Sequence, residues 1–514
     1  MNRPVDRGDW IGFLAMVVGM FMAILDIQIV SSSLGEIQAG LSAGRDEISW
    51  VQTSYLIAEV VMIPLSGWLA RVFSTRWLFL GSVLTFTLSS AACALAWDID
   101  SMIVFRALQG FLGGAMIPTV FASAFMIFPK ERMPMISVLI GLVATMAPTL
   151  GPVVGGWITD ALSWHWLFLI NLPVGLLVAG SVFLFVRIDK PNLDMLKRID
   201  VAGIVLMALF LGALEYTLEE GPADNWFETD AIVLWTACTA TAGILFIWRE
   251  LVCKNPVVDL FAFRNANFSI GCLFSFVIGS GLYGSVYLLP LFLSRVRGMS
   301  SYDIGVTMIV TGAFQFLSAP LAGALSKKMD PRLMLGAGLT LFGVGLWLTT
   351  AMTADWGYWE LFLPQAVRGV SLMLCFLPIN MLALGTLPRD EVQNASGLYN
   401  LMRNLGGAIG LAAINTVLIS RFDLHRAQLA ETLSAGSSQA SEMLAALSER
   451  LGDLLTADPE LAALKLLGRL LEREAWVMTF SDAFMLLALG FFAALLFMPW
   501  IRSVAGNKAP GEAH

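Results

Sequence analysis

Ala147–Gly156 reads APTLGPVVGG and lies inside an apolar run long enough to cross a bilayer. Two prolines and three glycines in ten residues are poor helix chemistry in water, because Pro removes a backbone donor and Gly loses entropy on ordering. In lipid the penalty is sharper, since no water replaces a lost backbone hydrogen bond. Such a stretch persists only where protein or water covers it. Gly151 and Gly155 make a Gly-x-x-x-Gly face that admits a second helix closely. Pro148 and Pro152 release donors and bend the helix, and Gly156 extends the flat surface. Two readings follow: a packing kink, or a bent and tightly sealed helix between two moving bundles.

The rest of the chain supplies the membrane. Of 514 residues, 57% are hydrophobic and 14% charged, with a mean hydropathy of +0.75. Soluble domains run near a quarter charged, so this is a polytopic membrane protein. The net charge of −8 resides in a few acidic loops, and no nucleic-acid partner is expected. Cys93, Cys238, Cys253, Cys272 and Cys375 show no paired spacing and imply neither a disulfide framework nor a metal site. The first apolar run lacks a clear cleavage site and reads as a retained helix.

At roughly 20 apolar residues per span, fourteen spans are expected, over 11–32, 50–70, 78–97, 102–124, 134–158, 165–186, 199–217, 230–248, 268–293, 303–325, 333–351, 357–380, 397–420 and 477–500. Most Lys and Arg of the short loops fall on one side, and the opposite short loops hold only Arg45, Arg295 and Arg297. By the positive-inside rule both termini are cytoplasmic. GWLARVFSTR (Gly67–Arg76) and GALSKKMDPR (Gly323–Arg332) echo each other at equivalent loops. Repeated halves around a central site are how secondary transporters are built. The expected organisation is a cytoplasmic N-terminus at 1–10, a six-helix half at 11–187 and two extra helices with linkers at 188–267. A second six-helix half follows at 268–500, then a tail at 501–514.

The loop 421–476 falls outside in this scheme. Leu444, Leu447, Leu451 and Leu454 share one helical face there, and Asp458-Pro459 starts a second helix carrying Leu461, Leu464, Leu467 and Leu471. A helical hairpin results, or a docking surface for an external partner.

Ionisable residues inside spans are costly and mark function. Asp26 lies six residues before the outer end of the first span, and Arg106 four residues into the fourth. At 1.5 Å per residue both sit roughly 6–9 Å below the outer surface, close enough in depth to pair. The pair reads as functional, or as a structural ion pair. Arg106, Gln109, Gly110, Gly113 and Gly114 share one polar, flat face. Glu59, mid-span, favours its protonated form because burial penalises charge, which makes it a candidate proton carrier. Glu215 reads as an interface residue. Arg368 is mid-span in the twelfth helix and needs a counter-charge or water, so it is a cavity candidate in the second half. Arg403 and Asp482 read as snorkelling residues near helix ends.

No phosphate loop appears, and His165, His425 and His514 form neither metal nor triad spacing. The chain is therefore not read as an enzyme and needs no cofactor; an ion gradient, most simply of protons, supplies the energy.

These motifs resemble a family. RALQGFLGGA (Arg106–Ala115) resembles the Arg-x-x-Gln-Gly motif of the major facilitator superfamily, and APTLGPVVGG its fifth-helix antiporter motif. WITDALSWHWLFLINLPVG (Trp157–Gly175), KNPVVDLFAFRNANF (Lys254–Phe268) and LDIQIV (Leu25–Val30) are similar to stretches of fourteen-helix drug:proton antiporters of the EmrB/QacA type, with the EmrB branch of Gram-negative inner membranes the nearest. The resemblance implies the major facilitator fold and proton-driven efflux of lipophilic drugs. It implies roles for Asp26, Arg106, Gly151, Pro152, Gly155 and Gly156, a periplasmic adaptor (a membrane fusion protein) and an outer-membrane channel. The cytoplasmic gate loop Gly67, Arg71, Arg76 departs from the family: Arg71 stands where an Asp is usual, and Ser74 where a Gly is. The expected activity is export of lipophilic compounds from cytoplasm or membrane by alternating access. The alternatives are proton-driven export of a siderophore, fatty acid or peptide, and nutrient symport, which the antiporter motif disfavours.

Overall fold

A computed structural model of the chain describes residues 5–44, 47–129, 131–388, 391–432, 438–452 and 459–502. Arg45, Leu454, Asp458 and His514, named above, lie outside the described residues. Among those described, fourteen helices are long and apolar enough to cross a membrane, and no strand is present. Spans one to six are Arg7–Ser31, Trp50–Phe73, Thr75–Ala94, Ile99–Ile127, Met133–Ala161 and His165–Phe185. Spans seven and eight are Val201–Glu220 and Asp230–Val252. Spans nine to fourteen are Ala266–Arg295, Tyr302–Leu325, Pro331–Thr349, Tyr358–Ala383, Val392–Thr432 and Pro459–Trp500.

The packing repeats. Span one packs on five and six, two on four, and three on four and six; adding eight to each number reproduces the strongest pairings of spans nine to fourteen. Two seams join the sets, five against ten and twelve, and two against thirteen. Spans seven and eight pair with each other, and seven leans on span two. Lipid-facing positions carry large apolar side chains such as Leu177, Leu234 and Ile244, as expected where a helix meets acyl chains.

Span five explains its own sequence. Pro148 and Pro152 lie inside one continuous helix. A Cβ on Gly151 would collide with Gln28, and one on Gly155 would reach the Ile29 backbone carbonyl at 2.8 Å, both on span one. On its other flank, Val153 packs on Gly305 and Thr149 on Gly312 of span ten. The Gly face thus seals span five to span one, while the opposite flank meets the second helix set.

Two spans differ from expectation. Span thirteen runs unbroken for 41 residues from Val392, and the last helix begins at Pro459, so the second half of the 421–476 segment is a direct extension of span fourteen. The helix Ser438–Gly452 packs against that extension. The expected leucine stripe is rotated: Ala463 and Leu467 are buried, whereas Leu461 and Leu464 are exposed. Ser74, at the turn between spans two and three, has φ +75°. An L side chain is strained there, in the region glycine favours.

Outside the spans, Asp200 caps the start of span seven by accepting from Gly203 N at 3.1 Å. Hydrogen bonds from Arg249 Nε and Nη2 (3.0 and 2.9 Å) hold its carboxyl below the ordinary aspartate value of 3.8.

Two predictions arise. Gly155→Ala should lower the Tm of the purified protein, since overpacking against backbone costs about 1–3 kcal/mol, whereas Gly180→Ala, with nothing within 4 Å of its Cβ, should leave it unchanged or raise it. Equal losses at both positions would remove the seam argument. A depressed aspartate contributes stability that is present at neutral pH and lost as pH falls below about 4. Amide exchange at the start of span seven should therefore rise only below that pH, and be raised already at pH 7 in Asp200→Asn.

Candidate functional site

Span one turns Asp26 inward, where it is 1% exposed. Arg106 Nη1 of span four donates to its Oδ2 at 2.6 Å, Gln109 Nε2 to its Oδ1 at 3.1 Å, and Asn171 Nδ2 of span six to the same oxygen at 2.6 Å. Arg106 is itself fully buried. Its Nε donates to the Val51 carbonyl of span two at 3.1 Å, its Nη1 also donates to Gln109 Oε1 at 2.7 Å, and its guanidinium lies 4.2 Å from the Tyr55 ring centroid. Asn171 continues to Ser90 Oγ of span three at 3.0 Å. One carboxylate therefore organises the five helices numbered one, two, three, four and six.

The local sequence makes this geometry. Arg106 and Gln109, one helical turn apart, face the same way, and the flat glycines beside them permit close approach. A Cβ on Gly110 would strike the Tyr55 carbonyl and one on Gly114 the Glu59 carbonyl, so span four lies hard against span two. Every neighbour of Asp26 in the network is a donor. Protonating Asp26 would place a hydroxyl among donors and strip Arg106 of its counter-charge. A change of charge at this one residue would thus disturb contacts among five helices.

Glu59 occupies a second site. It is 2% exposed, with Asn404 and the charge of Arg403, both on span thirteen, close by. With Gln28, Gln52, Glu215, Glu219 and Tyr283 it lines a cavity of about 60 Å³ between spans one, two, seven, nine and thirteen. That is room for several waters. Glu215, expected at an interface, is 5% exposed and faces this cavity. The structure does not bring Glu59 into hydrogen-bond contact with Asp26 or Arg106.

Arg403 corrects the sequence reading. The expected span began at 397 and left it near an end. The helix begins at Val392, so Arg403 sits a further turn inside, is 3% exposed, and packs over Phe121 and Phe376 at 5.4 and 5.6 Å. Its Nη2 donates to Asn400 Oδ1 at 2.7 Å. Asp482 also has a partner: it lies within span fourteen, 2.9 Å from His425 Nε2.

At the opposite end of the bundle, Gly67 packs so closely on span thirteen that a Cβ would meet the Gln393 carbonyl at 2.7 Å. Arg71 lines a larger cavity there with Trp68, Lys197, Lys254 and Asp259. Arg76 donates to the Phe183 carbonyl and stacks over Phe183 and Trp77. The acid missing from the loop arrives from elsewhere: Asp189, after span six, accepts from Thr75 N at 2.9 Å, Thr75 Oγ1 at 3.0 Å and Gln393 Nε2 at 3.1 Å. It ties the loop between spans two and three to span thirteen. Sequence reasoning missed Asn171 and Asp189, and read Arg403 as a snorkelling residue. Asn171 gave a signal, as an amide within an apolar span; Asp189 gave none. Arg368 is 4% exposed with Nε and Nη1 unpartnered.

Removing one member of a buried pair strands the other. Asp26→Ala and Arg106→Ala should each destabilise by about 3–5 kcal/mol, and the double variant by clearly less than the sum. Additive losses in thermal unfolding would show that the pair is not coupled.

Comparison with known proteins now adds kinship. A family model described as Major Facilitator Superfamily matches residues 16–411. The chain is 40% identical over 499 residues to the colistin resistance protein EmrB of Acinetobacter baumannii, covering 96% of this chain and 97% of that one. It is 29% identical over 431 residues to the multidrug export protein EmrB of Escherichia coli K12, covering 84% of each. It is 30% identical over 453 residues to the fatty acid resistance protein FarB of Neisseria gonorrhoeae, covering 88% and 89%. These relatives are transporters, and with fourteen apolar spans the chain is a multi-pass protein of the bacterial inner membrane. It belongs to the major facilitator superfamily, in the EmrB-type family of drug:proton antiporters.

Proposed function

We propose that this transporter exports lipophilic compounds from the cytoplasm or inner membrane in exchange for protons, with Asp26 as the coupling acid. The observation that carries the reading is the Asp26 network: a buried carboxylate held only by three donors from two other spans, whose neutralisation releases them together. Kinship with multidrug exporters supports efflux of several drugs over a single metabolite. Glu59 serves as a second acid, reached from the cavity it shares with Glu215 and Glu219.

The cycle works by differential affinity. Substrate and proton each favour a conformation the other disfavours, and the gradient drives the exchange. Closure at the end carrying Gly67, Arg71 and Arg76 is the outward-facing arrangement in this reading. The termini and that loop are cytoplasmic, by the distribution of basic residues. Spans seven and eight are then an insertion between two six-helix halves, and span five is the seal that prevents proton leakage while the halves move. The segment around Ser438–Gly452 and Pro459 projects to the periplasm, where an adaptor and an outer-membrane channel would complete the exit route.

A second reading is export of an endogenous lipophilic acid. It is favoured by the relative named for fatty acid resistance.

Proteoliposomes holding a pH-sensitive dye, given a proton gradient and then a panel of lipophilic compounds, test both. Wild-type protein should release protons in a compound-dependent way, and Asp26→Asn should abolish release by more than about tenfold. If Glu59→Gln abolishes it while Asp26→Asn does not, the coupling acid is Glu59. Response to fatty acids alone would select the second reading.

A further inference from the structure

One buried cation plays no part in the networks above. Arg368 is the eleventh residue of the 26-residue span twelve, so it lies near the bilayer midplane. Arginine stays protonated in proteins, and an uncompensated charge at that depth is strongly unfavourable. Yet among the described residues no carboxylate pairs with it, and its Nε and Nη1 have no hydrogen-bond partner. The other buried arginines each leave one nitrogen unpartnered, Arg106 Nη2 and Arg403 Nη1, but each has what Arg368 lacks: Arg106 has Asp26, and Arg403 has Asn400 and two aromatic faces. A neighbour shares the deficit. Gln315 of span ten is fully buried, with both amide atoms unpartnered, and its backbone packs against Gly369, the residue after Arg368.

Arg368 itself borders a cavity of about 10 Å³, room for one water. The hydroxyl-bearing residues Thr149, Ser285 and Thr311 line it, with Met308, Phe342 and Leu372 as apolar walls. Thr149 comes from APTLGPVVGG on span five, and the other five from spans nine to twelve, so the cavity lies on the seam between the two helix sets. A seam cavity widens when the sets part. Unpaired donors, one formal positive charge and apolar walls define the ligand chemistry: an anionic head on an apolar body.

We propose that Arg368 anchors a ligand site for the carboxylate of a lipophilic acid, at the seam between span five and spans nine to twelve. The site extends the export reading by naming a substrate class, but its occupancy does not require Asp26. Thr149, which lines the same cavity, lets the bound acid bear directly on the sealing helix.

The test is equilibrium binding to the purified full-length protein in nanodiscs, with three probes sharing one tail: dodecanoate, dodecan-1-ol and dodecyltrimethylammonium. Wild-type protein should bind dodecanoate most tightly. Arg368→Gln should weaken dodecanoate by more than about tenfold and leave dodecan-1-ol unchanged, while Arg368→Lys keeps part of the preference. Because the guanidinium has no partner to strand, Arg368→Gln should not lower Tm. If that variant nonetheless fails to fold, Arg368→Lys, which keeps the charge but not the planar fork, should selectively weaken dodecanoate several-fold. Unchanged dodecanoate affinity in either variant, or a parallel loss of all three probes, overturns the proposal. Asp26→Asn separates the two readings: it should lose proton-coupled export yet keep Arg368-dependent binding.

Discussion

A charge inside a bilayer cannot be diluted by solvent, and that constraint fixes the first helix set. Asp26 and Arg106 are tolerable only together, and only while Gln109, Asn171 and the Val51 carbonyl satisfy what the ion pair leaves over. Coulomb attraction is far stronger in a medium of low dielectric than in water, so the pair holds firmly. It also leaves little freedom. Spans one, two, four and six must keep one mutual register for all five groups to meet, and the close glycine contacts of Gly110 and Gly114 with span two follow that register.

Against this rigid cluster stands a more adjustable one. Glu59, Glu215 and Glu219 line a cavity with room for several waters, together with Asn404 and Tyr283. Carboxyls beside such a space have fewer helix contacts to lose on protonation than Asp26 has. The chain thus holds two acids in opposite situations, one locked by donors and one beside a cavity. Span seven, from the inserted pair, contributes two of the cavity's carboxyls and is more than a spacer between the sets.

Much of this was legible in the chain. Length and apolarity located twelve of the fourteen spans within a few residues and the membrane cores of the last two, because a bilayer demands a minimum run of apolar side chains but does not say where a helix stops beyond it. The shared depth of Asp26 and Arg106 was legible for the same reason: rise per residue converts position into depth once the ends are known. What failed depended on contacts between distant segments. Arg403 was placed too near an end because the helix begins at Val392, among polar residues that hydropathy does not count. Asp189 gave no sign, since its partners Thr75 and Gln393 are remote in sequence. The Leu461 and Leu464 stripe misled because helical spacing identifies a face but not the neighbour that covers it.

The long final spans carry a mechanical consequence. At 1.5 Å per residue, the 41-residue helix from Val392 to Thr432 measures roughly 60 Å, about twice the hydrocarbon thickness of a bilayer. Its one end is pinned at Gly67 and Gln393, and the glycines Gly406, Gly407 and Gly410 press it to span nine midway. The remainder is an unbroken lever. A tilt of a few degrees at the pinned end becomes a sideways excursion of several ångströms at the far tip, where the Ser438–Gly452 helix rides on the matching extension of span fourteen. A partner docked at that tip would feel any tilt of the helix as a displacement, with no signal needing to pass through the membrane's interior.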